Sequence, residues 1–170
     1  MIKTTFPDGL VMGALNGLLR DAFPESCFLP ECCGYIPGRG ARAAVRQVMS
    51  ALGRGYGTVL RLDILSFNDT MPQERLTGLI IRRLREARWD SDDLDLFHEL
   101  IYRFFSRVDA VLATPGVGIG MGTSLTPLFT NIYLNRLDHF VKSPPARPVR
   151  APEPRDNKAA YRLTVVASLW

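Results

Sequence analysis

Asp63 ends a short apolar run, residues 58–64, where a carboxylate is costly unless something pairs with it. Residues 35–62 carry five arginines (Arg39, Arg42, Arg46, Arg54 and Arg61) and no acidic residue. A stretch of one sign, broken by glycines that expose backbone, suits a phosphate-contacting surface, and a solvated helix face reads the same way. Residues 116–122 form a glycine-rich loop. Such glycines let the backbone approach a partner closely and take positive φ. Ser124 or Thr126 is placed to cap the helix that follows, with Pro127 in its first turn. The adjacent pair Asp92 and Asp93 opens a predicted helix, a place that favours acids through the helix dipole rather than through catalysis. Asp69 reads as part of an exposed loop beyond the strand that carries Asp63.

The elements that must position these groups follow from periodicity. Residues 10–23 read as a helix with Leu10, Val11, Ala14, Leu15, Leu18 and Leu19 on its apolar stripe. After a Pro-bounded loop, residues 41–52 give a second helix burying Ala44, Val45, Val48, Met49 and Leu52. Three glycines within residues 53–57 break it, and residues 58–64 read as a β-strand. A third helix, residues 72–85, buries Leu76, Leu79, Ile80 and Leu84 and exposes Arg75, Arg82, Arg83 and Arg85. Ser91 caps a fourth over residues 92–106, with Leu94, Phe97, Ile101, Phe104 and Phe105 inward. The long fifth helix follows the glycine loop. The expected class is α+β, helix-rich with a small antiparallel sheet.

The net charge of +4 is misleading, because residues 143–170 hold five Lys/Arg against two acids and the rest is nearly neutral. Five of the twelve prolines fall within residues 144–154, so 143–170 is expected to be a disordered tail or linker, and 1–142 the domain. Residues 159–170 are apolar again and could add one strand. Cys27, Cys32 and Cys33 share one loop with no histidine nearby, a poor disulfide framework and a poor zinc site. They read as reduced thiols of a cytoplasmic protein. His98 and His139 have no ligand partner. No run is long and apolar enough to span a bilayer, and the N-terminus does not read as a signal peptide.

The stretch from the glycine loop through the fifth helix resembles one motif of reverse transcriptases, especially those of diversity-generating retroelements, group II introns and retrons. Without a gap, Gly118, Ile119, Gly122, Phe129, residues 131–135, Leu137, Asp138, Phe140 and Val141 keep that pattern. Gly120 stands in place of the usual proline, Met121 in place of Ile or Gln, and Thr126 where a serine is usual. Upstream, residues 6–23 resemble the first palm-entry helix, residues 35–45 the basic glycine loop that opens a helix, and residues 59–67 the strand with the first catalytic aspartate. The resemblance covers residues 6–142.

It implies a partial polymerase palm with helical fingers elements, and RNA-templated DNA synthesis as the parent activity. Asp63 would be the catalytic metal ligand, helped by the Ile64 carbonyl, for Mg²⁺. Arg39 and Arg42 would contact template or phosphate, and Phe67, Asn68, Met121, Gly122, Thr123 and Ser124 would lie near template or nucleotide. An RNA template and a DNA primer would be the partners, with a separate chain as the source of any missing half. Asn68 departs from the aromatic that usually blocks the ribose 2′-hydroxyl. The family's aromatic-x-Asp-Asp hairpin has no counterpart after residue 141, where the Pro/Arg-rich segment stands instead. The basic fingers residues that hold the triphosphate and the thumb have no counterpart either. A truncated domain, inactive alone, is therefore expected. The alternatives are a non-catalytic RNA-binding or assembly module and a degenerate gene fragment.

Overall fold

A computed structural model describes residues 5–56, 63–112 and 114–142. Helix α1 (Phe6–Ala22) starts four residues before its first apolar stripe, because Thr5 and Asp8 close a capping box there. The Thr5 hydroxyl accepts from the Asp8 amide, and the Asp8 carboxylate accepts from the Thr5 amide. The expected stripe is rotated. Met12, Leu15, Leu19 and Ala22 are buried, whereas Leu10, Val11 and Leu18 face solvent.

Helix α2 (Ala41–Gly53) has the expected bounds, but only Ala44 is buried. Val45, Val48, Met49 and Leu52 are all exposed, Met49 by 62%. Amphipathic periodicity shows that a face suits an apolar neighbour, and no described element supplies one. A one-turn helix, α3 (Phe67–Thr70), leads into α4 (Gln73–Glu86). The next helix, α5 (Ser91–Asp109), is capped by Asp90, whose carboxylate accepts from the Asp93 amide at 2.8 Å; Ser91 is already inside the helix. Asp92 and Asp93 occupy its first turn.

Helix α4 lies against both α5 and α6 (Thr126–Lys142). Its Leu76, Ile80 and Leu84 are fully buried, each worth about 1.5–3 kcal/mol of apolar transfer. They share one core with Leu15 and Leu19 of α1, Phe97, Ile101 and Phe105 of α5, and Leu128, Phe129 and Ile132 of α6. Phe104 and Phe105 both pack on Phe129, at ring separations of 5.8 and 6.1 Å. The inward faces expected for α4 and α5 are therefore the observed ones, with Leu79, Leu94 and Phe104 half-buried at the margin.

The α+β expectation is overturned. Among the described residues every regular element is helical, and the β-type pairing is a single antiparallel bridge between Pro72 and Val117. A sheet needs strands that pair, and no described segment pairs with Asp63 or Ile64. The rest of the expected strand, residues 58–62, lies outside the described residues, as does the 143–170 tail. No described helix is long and apolar enough to cross a membrane.

Candidate functional site

The glycine loop is held against the α3–α4 entry by backbone and side chains together. Gly118 N donates to Met71 O at 2.8 Å, Ile119 N to Asn68 O at 2.9 Å, and Gln73 N to Gly116 O at 3.1 Å. A carbon added at Gly118 would lie 2.6 Å from Leu112 Cδ1 and 3.1 Å from Asp69 O, so only glycine permits this approach at its φ of +92°. Gln73, 6% exposed, completes the joint. Its amide donates to Asp109 Oδ1 at 2.7 Å and to Gly118 O at 2.8 Å, while the Asp109 carboxylate accepts from Gly116 N at 3.2 Å. Sequence reading missed both residues. They lie far apart in the chain and belong to no motif.

The cap of α6 is also different from expectation. Thr123 Oγ1 accepts from Thr126 N at 3.3 Å, and the Thr126 hydroxyl donates to Gly120 O at 2.9 Å. Thr123, not Ser124, therefore caps, and Thr126 ties the helix start back to the loop. With Thr123 turned inward, Met121, Gly122 and Ser124 form the exposed tip of the loop. The structure thus brings Asn68 and the 116–124 loop together, and Asn68 Oδ1 accepts from the Thr130 hydroxyl of α6 at 3.4 Å.

Other candidate residues are placed differently. Asp63 is exposed, and among the described residues no three His, Cys, Asp or Glu are grouped to hold a metal ion. Ile64 is exposed beside it. Phe67 is half-buried, edge-on to Tyr133 at 5.9 Å. Arg39 is engaged inside the fold: its guanidinium donates to Leu29 O at 2.6 Å, Cys32 O at 3.1 Å and Glu25 O at 3.1 Å. Arg42 and Arg46 are exposed on α2.

The cysteine loop that Arg39 holds is clamped from α6 as well. Asn131 Nδ2 donates to Gly34 O at 2.8 Å and Asn135 Nδ2 to Cys27 O at 3.0 Å, two asparagines one helical turn apart. Burial pushes the Cys32 thiol up to about 11, with the nearby Asp138 carboxylate adding to the shift. Burial likewise raises Asp138 above the usual carboxylate range, against the opposing pull of His139. Glu31 is lowered, chiefly by its hydrogen bond from Lys142 at 2.9 Å.

The chain is similar to group II intron-encoded proteins. It is 28% identical over 145 residues to the group II intron-encoded protein LtrA of Lactococcus lactis subsp. cremoris, covering 81% of this chain and 22% of that protein. It is 27% identical over 142 residues to an uncharacterized 91 kDa protein in the cob intron of Schizosaccharomyces pombe, covering 80% of this chain and 16% of that protein. The chain thus spans about a fifth of the length of the curated relatives it matches. No family model matches it. Of the three groups in the sequence resemblance, LtrA belongs by name to the group II intron one.

Proposed function

We propose that the chain is a reverse-transcriptase-like region: fingers and palm elements of a polymerase whose whole activity is RNA-templated DNA synthesis. The carrying observation is the likeness to intron-encoded proteins over four-fifths of the chain. Gly118, at the head of the ungapped motif that runs to Val141, is the glycine that permits the loop's close approach to the α3–α4 entry. In this reading the exposed loop tip, with Asn68 behind it, faces template or nucleotide. Arg42 and Arg46 offer charge to phosphate, whereas Arg39 shapes the loop beside them.

Mg²⁺ is the metal that such a polymerase uses, and two-ion phosphoryl transfer requires several carboxylates around the ions. Asp63 supplies one and Ile64 a carbonyl, but the described donors do not make a two-ion centre. In this reading the chain alone binds RNA without extending a primer. A second reading, an RNA-binding module without chemistry, is favoured by the same donor set and by the exposed arginines of α2.

The test combines the purified chain with Mg²⁺, a primer on an RNA template and deoxynucleotides. The expected result is weak retention of RNA, with a log–log salt slope of about −1.5 to −3 for about two to four phosphate contacts, and no extension. Extension that disappears in Asp63→Ala would overturn the inactivity and show that other groups complete the metal site. Absence of RNA binding even at low salt would remove the support for both readings.

A further inference from the structure

A cleft of about 490 Å³ opens beside the α3–α4 entry, lined by residues of α3, α4 and α6. Phe67, Arg75, Leu79, Tyr133, Arg136 and Leu137 are among the residues that line it, and no lining residue is acidic. The Arg75 guanidinium lies over the Tyr133 ring at 5.7 Å, and Phe67 meets the same ring edge-on. Arg75 and Arg136 are exposed, and neither takes part in an ion pair among the described residues. Every other arginine of α4 and α5 that does form an ion pair has its acid three or four residues away or on α1.

These features select a ligand. Two guanidinium groups with no ion-pair partner among the described residues suit an anion, and an aromatic pair beside apolar walls suits a flat ring. An apolar peptide would leave both charges unmatched. A simple anion would leave the aromatic wall without a partner. A nucleotide unit carries both a ring and a phosphate, and stacking on an aromatic side chain beside arginine is a general mode of single-strand binding. We propose that this cleft is a second nucleic-acid site, which takes one or two bases of a single strand by stacking on Tyr133 and Phe67 while Arg75 and Arg136 contact the flanking phosphates. The proposal rests on the nucleic-acid reading above; the cleft shares Ile64 and Phe67 with the candidate site but not the glycine loop or α2.

The test uses the full chain and a short oligouridine carrying 4-thiouridine, with crosslinks mapped by mass spectrometry and affinity followed by anisotropy. Crosslinks are expected on Tyr133 or Phe67. Tyr133→Ala should weaken binding about 5- to 150-fold, and Tyr133→Phe, which keeps the ring, should restore it. Arg75→Ala with Arg136→Ala changes only exposed side chains, so the fold should survive, and the salt slope should become shallower by about 1.4 for two lost phosphates. If RNA binds but crosslinks fall only on α2 or residues 143–170, and the arginine pair changes nothing, the cleft is not a nucleic-acid site while the wider reading stands. If no RNA binds at low salt, both fall. Concentration-dependent protection of Tyr133 from nitration without RNA would assign the cleft to protein–protein contact instead.

Discussion

Gly118 and Gly78 make opposite demands on the same substitution. At Gly118 an added methyl would press on Leu112 and on the carbonyl of Asp69, at a φ that side chains rarely adopt. Gly118→Ala should therefore destabilise by about 1–3 kcal/mol from overpacking alone. Gly78 sits within α4 with nothing near its missing Cβ, so Gly78→Ala should stabilise by up to about 1 kcal/mol through helix propensity. Urea unfolding of the two variants checks the pair, and equal effects would show that the loop can give way at Gly118. The glycine run was legible in the sequence as a close-approach loop, because glycine spacing is a local signal. What it approaches was not legible. Gln73 and Asp109 are a lone amide and a lone carboxylate, and only the tertiary fold sets them on Gly116 and Gly118. Asp63 shows the converse: its flanking apolar run suggested burial, but burial depends on a neighbour that the sequence cannot name.

At the scale of elements, the helices were legible to within a few residues because each carries its own period and stops. Their faces were legible only where a described neighbour covers them, as for Leu76, Ile80 and Leu84 of α4, and not for α2. The cysteine loop was read only as irregular, yet its backbone carbonyls are held by Arg39, Asn131 and Asn135. Arg39→Ala leaves three carbonyls without this donor, so amide exchange across residues 24–34 should accelerate and Cys32 should become open to alkylation. Unchanged exchange in that segment would assign the loop's order to the asparagines alone. Cys32 also sets a pH dependence. Its thiol titrates near 11 in the fold against 9.0 in the open chain, so the folded form keeps a proton that the unfolded form has lost. Stability is therefore full below about pH 9 and falls as pH rises toward 11. Denaturant midpoints should drop across that window, and Cys32→Ser should flatten the drop.

At the scale of the molecule, core and surface are unevenly matched. The α1–α4–α5–α6 core is closed around Phe97 and Phe129, both nearly inaccessible, while Val45, Val48, Met49 and Leu52 leave an apolar row on α2 open. Contiguous exposed apolar surface on a monomer marks a site for association or a liability for it. The relatives that match this chain are about four to five times as long, so a partner surface for α2 in those proteins has ample sequence from which to come. Here the row is exposed on the same helix as Arg42 and Arg46, which are also exposed. Two consequences separate. In the proposed reading the arginines attract phosphate and are screened by salt, whereas the apolar row favours self-association and is strengthened by it. Light scattering should accordingly show the chain associating as its concentration rises, more so in sulfate, and RNA binding should weaken in the same series. Val48→Glu with Met49→Lys places charge on exposed positions, so it should leave the helical signal intact and reduce the association. If the chain stays monomeric at every concentration and salt, the α2 face is too small or too interrupted to drive contact, and its apolar row reflects helix composition rather than an interface.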